Sequence, residues 1–320
     1  MAKDNTEDRR VIVVGGPTAS GKSALALGLA EALDGVVINA DSMQVYRDLS
    51  VLTARPGPAD LARATHRLYG VLDGAERCSA ARWRGLAEAE IAKAHAAGRL
   101  PIVCGGTGLY LRALMEGLAE IPPMPEPVRA EAMALHARLG GAAFHDRLAA
   151  RDPAMAARLH PGDTQRLIRA WEVLAATGRS LADWQQGTAP GPAAGWRVGT
   201  IVLIPPRDAL YAACDARFRR MVENGGIEEV RALLDRHLDP GLPVMKALGV
   251  REIGNFLSGE IPLETAIARA QQATRNYAKR QLTWFRNQMA GKSGGDRHVI
   301  DAQYSEKFSS ETLSIIREWR

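Results

Sequence analysis

The stretch that decides the fold is "VVGGPTASGKSAL", residues 13–25, where an apolar run meets a glycine-rich turn and a helix start. Residues 16–23 match the phosphate-loop pattern G-x-x-x-x-G-K-[ST]. In such a loop, backbone N–H groups and the positive end of the following helix hold an anion. Lys22 is expected to contact the outer phosphates, and the Ser23 hydroxyl is expected to bind Mg²⁺. The residues predicted to hold a phosphate chain are Gly16, Pro17, Thr18, Ala19, Ser20, Gly21, Lys22 and Ser23.

The chain around this loop alternates short apolar runs with helical patterns. The predicted strands lie at residues 10–16, 35–41 and 199–206, and residues 100–110 are predicted as a strand with the turn that follows it. They are predicted as strands because they are short and rich in β-branched residues, whereas residues 22–32 and 80–97 carry longer helical patterns. Strands that alternate with helices predict a parallel sheet covered by helices on both faces. The predicted fold class is therefore α/β, with a phosphate-loop-type parallel sheet flanked by helices.

Two breaker segments divide the chain. "IPPMPEPVR" (residues 121–129) holds four prolines, and "GTAPGPAAG" (residues 187–195) is rich in Gly, Pro and Ala. The sequence between them has helical patterns and no strand candidate. We therefore predict an all-α insertion domain at 121–198 within an α/β core formed by 1–120 and 199–290, the latter with C-terminal helices. Residues 291–320, which begin with the flexible "GKSGGD", are predicted to form a separate C-terminal tail.

Composition limits the class of protein. The 320 residues are 46% hydrophobic and 24% charged, which is ordinary for a soluble globular protein. A formal net charge of +5 permits a polyanionic partner. The three cysteines are far apart and form no CxxC pair, which argues against disulfides and a zinc site. This cysteine usage fits a reducing cytosol, the polar N-terminus carries no apolar signal region, and no apolar run is long enough to span a membrane. We therefore expect a cytoplasmic protein that does not enter a membrane. We also expect a monomer.

Two polar residues follow predicted strands near the phosphate loop. A nucleotide hydrolase would place an acid at a further strand end, but the run "IVCGGTG" contains none. Asp41 follows the second strand, and ligands of open α/β sheets lie at the carboxyl ends of strands. Asp41 could therefore bind Mg²⁺ or accept a proton, or it could simply cap a turn with Ser42. Thr107, in "GGTGLY", could offer a hydroxyl to the same crevice, or the glycines there could serve turn geometry alone.

Two helical segments are basic. Between Glu264 and Asp296 the sequence has no acidic residue, and at 100° per residue Arg275, Lys279 and Arg286 fall within about 40° of one another. A solvated face usually mixes signs, so this stripe favours a polyphosphate partner over an ordinary exposed surface. In "DTQRLIRAWEV" (residues 163–173), Arg166 and Arg169 share a face, and ordinary surface arginines are the alternative there. Together the segments suggest a nucleic acid substrate and a small phosphorylated co-substrate.

Six segments in order resemble one known family. They are "GPTASGKS", "NADSMQVYRDL", "TARP", "GGTGLYLRALMEGL", "HPGDTQRLIRAWEV" and "AKRQLTWFRNQ". The chain resembles the bacterial tRNA dimethylallyltransferase (tRNA isopentenyltransferase) family from about residue 11 to 289. The resemblance implies transfer of a dimethylallyl group from dimethylallyl diphosphate to the exocyclic amine of the adenosine just 3′ of the anticodon in tRNA. The phosphate loop and Mg²⁺ would then hold the diphosphate leaving group.

The resemblance also implies roles for individual residues. Asp41 resembles the general base, Thr18 and Thr107 resemble orienting hydroxyls, and Arg217 in "CDARFRRM" resembles a diphosphate-binding arginine. The residues that match tRNA-contacting positions are Asp41, Ser42, Met43, Gln44, Thr107, Arg129, Gln165, Arg166, Leu167, Ile168, Arg169, Lys246, Arg251, Lys279, Arg280 and Arg286. The sequence departs from the family pattern at Leu52, where glycine is usual, and at Ala213, where arginine is frequent.

Two other functions share these features. A phosphate-loop kinase for a small molecule or nucleoside would use the same loop and sheet, with the insertion domain as its lid. A non-catalytic RNA-binding protein would keep the basic segments around a vestigial loop, which the intact Gly-Lys-Ser sequence disfavours.

Overall fold

The computed structural model describes residues 9–186, 191, 195–290 and 296–318. It forms two compact units, of which one comprises Met1–Met115 with Pro192–Arg320 and the other Glu116–Gly191. The predicted insertion domain spans 121–198 and therefore overlaps the second unit. Most of the breaker segment 187–195 and the first five residues of "GKSGGD" lie outside the described residues. No described helix has the length and hydropathy needed to span a membrane.

The larger unit is built on one parallel sheet, which confirms the predicted α/β class. Its strands are β1 (Arg10–Gly15), β2 (Gly35–Asn39), β3 (Thr65–Arg67), β4 (Leu100–Gly105), β5 (Arg197–Leu203) and β6 (Arg297–Ile300). They lie in the order β3-β2-β4-β1-β5-β6, and every described pair is parallel. The central strands are fully buried on both faces, as their apolar sequences require.

Helices cover both faces of this sheet. They are α1 (Lys22–Ala32), α2 (Pro58–Arg63), α3 (Ala80–Ala96), α4 (Gly108–Glu116), α9 (Arg207–Met221), α10 (Ile227–Leu234), α11 (Val250–Leu257), α12 (Leu263–Phe285) and α13 (Glu306–Glu318), with α4 ending at the boundary between the units. One core includes Trp83, Leu111 and Phe285, and a second, on the other face, includes Leu25, Leu29 and Ile316. The site therefore stands on a rigid, closely packed base.

The helical unit has a core of its own. Its helices are α5 (Glu126–Ala149), α6 (Pro153–Ala156), α7 (Thr164–Thr177) and α8 (Leu181–Gln186). Phe144, Leu148, Leu167 and Trp171 are buried together in it. Helix α5 bends at Gly140, whose φ of 74° and ψ of 169° are not helical.

Two strands and the C-terminal segment differ from the prediction. Strand β3 has only three residues, "THR", which carry no apolar pattern, and β6 has four. Residues 291–320 are predicted above as a separate tail, and this is corrected: Arg297–Ile300 is the sixth strand of the sheet, paired with β5. Ile300 and Ile316 are buried in the core beside α1. The described C-terminal residues, 296–318, therefore contribute to the core of the larger unit.

Candidate active site

The strand order brings the predicted site residues to one edge of the sheet. The carboxyl ends of β2, β4 and β1 are neighbours there, so Asp41, Thr107 and the phosphate loop follow adjacent strands. The backbones that follow β2 and β4 lie close together at Gly105, where an added Cβ would lie 2.1 Å from the Ala40 carbonyl oxygen. Only glycine fits at that point, so the first glycine of "GGTG" is required by packing.

The phosphate loop has the strained conformation typical of an anion-binding turn. Ala19 and Gly21 both lie in the left-handed region, with φ of 61° and 89°. The Lys22 ammonium group donates to the Pro17 carbonyl at 3.3 Å. Burial lowers the pKa of Lys22, while the negative charge of Asp41 opposes that change. This partly buried ammonium group has one protein acceptor among the described residues and is therefore ready to bind an anion.

Asp41 is held in place by its own loop. The buried Asn39 side chain accepts a hydrogen bond from the Asp41 N–H at 2.8 Å and donates to the Asp41 and Leu68 carbonyls at 3.0 Å each. Asp41 Oδ1 accepts from the Met43 N–H at 2.9 Å. Among the described residues no donor reaches Oδ2 of Asp41. One carboxylate oxygen therefore fixes the turn, as the alternative interpretation requires, and the other remains available to accept a proton.

Thr107 joins the loops that follow β2 and β4. Its Oγ1 accepts from the Ser42 N–H at 2.9 Å and donates to Ser42 Oγ at 3.3 Å. The hydroxyl of Tyr277, on α12, is hydrogen-bonded to Thr107, and burial followed by the charge of Asp41 raises the pKa of that phenol. Tyr277 therefore stays protonated beside Asp41. These contacts orient the Thr107 hydroxyl toward the Asp41 loop.

Arg217 lies on α9 and reaches the phosphate loop. Its guanidinium donates to the Thr18 hydroxyl in a short hydrogen bond. Burial lowers the pKa of Arg217, and the neighbouring Asp41 acts in the opposite direction. The guanidinium remains charged because its ordinary pKa is so high. The structure thus places two cations, Lys22 and Arg217, on the loop.

Gln281 is a site residue that the sequence analysis missed. From α12 its Oε1 accepts from the Thr18 N–H at 2.8 Å, and its Nε2 donates to the Gly106 carbonyl at 2.7 Å. The side chain is buried and links the phosphate loop to the loop after β4. A signal was present in the sequence, because Gln281 falls on the same helical stripe as the buried Ala278, Leu282 and Phe285. A polar residue in an apolar stripe usually has a specific partner.

A cavity of about 300 Å³ opens between these groups. Its polar lining comes from Thr18, Asp41, Ser42, Arg217, Tyr277 and other side chains. Its apolar lining comes from Met43, Leu52, Phe218, Met221 and Leu248. Leu52, the departure from the family pattern, thus forms part of an apolar wall. The cavity can hold a small molecule with an anionic end and a hydrocarbon end.

The five predicted tRNA-contacting cations of the larger unit are exposed, and two of them also line the cavity. Lys246 and Arg280 line the cavity, and the guanidinium of Arg280 lies 5.7 Å from the centre of the Tyr277 ring. The Arg251, Lys279 and Arg286 side chains are exposed. Gln44, by contrast, donates through Nε2 to the Thr53 and Ala54 carbonyls, so its amide nitrogen is committed to the protein.

The basic stripe of α12 is less one-signed than its sequence suggests. Arg275 NH1 forms an ion pair with Asp215 Oδ1 at 2.6 Å, and Asp215 lies on α9. Sequence patterning within α12 could not reveal an acid supplied by another helix. The free cations of the stripe are therefore Lys279 and Arg286 among the described residues, with Arg280 beside them.

In the helical unit, α7 carries the predicted segment 165–169. Leu167 is fully buried in the core of this unit, so its place among the tRNA-contacting residues is corrected to a packing role. Arg166 is 74% exposed. Arg169 lies 3.4 Å and Arg129 4.0 Å from the carboxylate of Glu172, which is only 2% exposed. A buried carboxylate thus holds two of the predicted arginines together.

The residues present fit Mg²⁺ in a limited way. No group of three or more His, Cys, Asp or Glu side chains in the described part of the chain could hold a metal. Ser23 is exposed at the start of α1, and Asp41 follows β2, whose carboxyl end lies at the same edge of the sheet as that of β1. Mg²⁺ is commonly bound by one or two protein oxygens together with substrate phosphates and water. The donor set fits an ion that arrives with a diphosphate.

Fold and site together define a phosphate-loop α/β protein with a carboxylate beside its anion site. The sequence matches the family described as IPP transferase over residues 44–288. A protein from Rhodospirillum centenum named tRNA dimethylallyltransferase is 67% identical over 282 residues, which cover 88% of this chain and 90% of that one. A protein of the same name from Granulibacter bethesdensis is 50% identical and covers 97% of this chain and 99% of its own.

Solved structures agree with the sequence comparison. The tRNA isopentenylpyrophosphate transferase of Bacillus halodurans is 33% identical, with a TM-score of 0.68 and coverage of 97% of this chain and 98% of the other. A eukaryotic dimethylallyltransferase described as acting on tRNA has a TM-score of 0.80 at 25% identity, covering 97% of this chain and 80% of the other. The chain belongs to the IPP transferase family. It is therefore a prenyltransferase that modifies tRNA, and the family resemblance is confirmed.

Proposed function

We propose that the enzyme transfers a dimethylallyl group from dimethylallyl diphosphate to the exocyclic amine, N6, of the adenosine 3′-adjacent to the anticodon. Diphosphate is the second product. The observation that carries this proposal is the cavity beside Asp41, which has Thr18 and Arg217 at its polar side and Leu52, Phe218 and other apolar side chains on its walls. Such a lining matches a short hydrocarbon attached to an anion.

The anionic end of the substrate is assigned to the phosphate loop. Breaking the allylic C–O bond leaves negative charge on the diphosphate. Lys22 and Arg217 are fixed in place before that charge develops, and their burial strengthens each interaction with it. Ser23 and the substrate phosphates would hold Mg²⁺, which supplies further neutralisation of the diphosphate charge when bound.

Asp41 is assigned the role of general base. N6 of the adenine forms a bond to the first carbon of the allyl group, the bond from that carbon to the diphosphate oxygen breaks, and one N6 proton passes to Asp41. Oδ2 would take this proton, since no described residue donates to it, whereas Oδ1 accepts from the Met43 N–H. Thr107 and Tyr277, which are hydrogen-bonded to each other, would orient the amine next to it.

The tRNA is assigned to the basic side chains around the cavity. The target adenine must leave the stack of the anticodon loop to reach the allyl carbon. Lys246 and Arg280 line the cavity and would meet the phosphates that flank the extruded base. Lys279, Arg286 and Arg251 offer further exposed cations for the backbone. In the helical unit, Arg129, Arg166 and Arg169 offer the same chemistry.

Product analysis tests the proposal directly. The purified protein is incubated with tRNA and either dimethylallyl diphosphate or radiolabelled ATP, and the tRNA nucleosides are then analysed by mass spectrometry. We expect a nucleoside heavier by one dimethylallyl group in place of one hydrogen, and no transfer of phosphate from ATP. Phosphorylated product without prenylated adenosine would instead establish the kinase alternative.

The salt dependence of tRNA binding tests the basic stripe. Lys279→Gln is expected to make the plot of log K against log[salt] shallower by about one unit, because one phosphate contact is lost. Lys93→Gln serves as the matched control, since Lys93 is an exposed lysine on α3 paired with Glu90. An unchanged slope for Lys279→Gln would show that Lys279 contacts no tRNA phosphate and that the stripe is an ordinary solvated face.

A further inference from the structure

The segment that follows β6 contacts the phosphate loop. Gln303 Nε2 donates to the Ala19 carbonyl at 2.7 Å, and the Tyr304 N–H donates to the Ser20 carbonyl at 3.3 Å. Tyr304 also packs on the next residue of the loop, because a Cβ added to Gly21 would lie 2.3 Å from Tyr304 Cβ. Three consecutive residues of the loop therefore rest on two consecutive residues near the C-terminus.

These contacts orient the peptide groups of the loop. In a trans peptide the carbonyl and the following N–H point in opposite directions. The Ala19 carbonyl faces Gln303 and the Ser20 carbonyl faces Tyr304, so the N–H groups of Ser20 and Gly21 face away from that segment, and the Ser20 N–H donates to the Pro17 carbonyl of the loop at 3.3 Å. Ala19 holds a φ of 61°, which an alanine adopts at a cost. A hydrogen bond to its carbonyl stabilises this conformation before any anion arrives.

The segment is itself anchored at both ends. Before it, β6 pairs with β5 from Thr200 opposite Arg297 to Leu203 opposite Ile300. After it, α13 packs on α1 through Ile316, which is buried in the same core as Leu25. Residues 301–305 therefore connect two elements of the folded core and can hold the loop as a fixed support.

We infer that Gln303 is a positioning residue for the diphosphate: its amide holds the Ala19–Ser20 peptide in the orientation that the anion requires. The inference rests on the proposed diphosphate site. Gln303 lies beyond residues 44–288, the span that matches the family. It acts through the backbone of the loop, and its removal should therefore weaken binding of the phosphate end of the substrate while leaving tRNA binding unchanged.

Pyrophosphate binding tests this inference. Calorimetry with pyrophosphate and Mg²⁺ is performed on the full chain and on two variants, Gln303→Met, which removes the donor at similar volume, and Gln303→Glu, which replaces the donor with an acceptor. We expect the dissociation constant to rise about three- to tenfold for Gln303→Met, the range of one hydrogen bond, and more for Gln303→Glu. KM for dimethylallyl diphosphate should rise in parallel, with KM for tRNA unchanged.

Two controls separate the possible failures. Gln186→Met changes an exposed glutamine at the end of α8, and Lys22→Met removes the main cation of the loop. If both Gln303 variants bind pyrophosphate as Gln186→Met does while Lys22→Met has lost binding, the positioning role is wrong. If Lys22→Met also binds normally, the diphosphate site itself is wrong. A lower melting temperature with equal rises in both KM values would show a purely structural role and would also overturn the inference.

Discussion

Replacing Asp41 with asparagine is expected to lower kcat by a factor of about 10² to 10⁴, the usual contribution of a general base. The amide keeps an oxygen in the position of Oδ1, so the hydrogen bond from the Met43 N–H and the turn survive. What is lost is the ability to take the N6 proton. The measurement is single-turnover transfer of the dimethylallyl group to tRNA, with tRNA binding followed separately.

The matched control is Asp208→Asn, since Asp208 is an exposed carboxylate in the first turn of α9. It should keep the parent kcat. The dissociation constant for tRNA should stay within a few-fold of the parent value in both variants. If Asp41→Asn turned over at nearly the parent rate, Asp41 would not be the general base. Its role would then be only to cap the turn that includes Ser42.

Lys22→Met is expected to lower kcat/KM for dimethylallyl diphosphate by about 10² to 10³, the effect of losing one fixed donor to a developing anion. Methionine keeps much of the apolar stem and removes the charge, so packing beneath the loop changes little. Steady-state kinetics at varied diphosphate substrate measure the effect, and KM for tRNA is the internal reference. Lys93→Met, at an exposed lysine, should behave as the parent enzyme. A parent-like kcat/KM in Lys22→Met would exclude the loop as the diphosphate site.

The pKa of Lys22 adds a pH dependence to this prediction. Burial lowers that pKa below its ordinary value of 10.5, and only the protonated ammonium attracts the diphosphate. Affinity for pyrophosphate should therefore be greatest below the lowered pKa and should fall as the pH rises through it, before pH 10.5 is reached. Lys22→Arg should remove this decline, because arginine stays charged throughout. The same decline in both proteins would assign the titration to another group.

The sequence was sufficient to predict the parts of the site that follow a local rule. The phosphate loop has a fixed spacing of glycine, lysine and serine, and Asp41 and Thr107 follow strands whose carboxyl ends meet at one edge. The helical insertion could be predicted from its proline-rich start and its lack of strand patterns. These features depend on neighbours within a few residues along the chain.

The remaining features depend on residues far apart in sequence. Gln281 and Thr18 are 263 positions apart, and Gln303 and Ala19 are 284 apart, so no local pattern marks either contact. Asp215 neutralises Arg275 from another helix, which makes the stripe on α12 less basic than its own sequence. Strand β3 was missed because three partly exposed residues carry too little alternation to be recognised.

The position of β6 has a consequence for the order in which a newly made chain can mature. The phosphate loop is synthesised 284 residues before Gln303, whose amide donates to the Ala19 carbonyl of that loop. Contacts across so many residues form late in folding, since the long loop between them must first be closed. During synthesis the phosphate loop of the nascent chain therefore lacks its contacts with Gln303 and Tyr304. The loop acquires its complete set of contacts only after the segment that follows β6 has been synthesised.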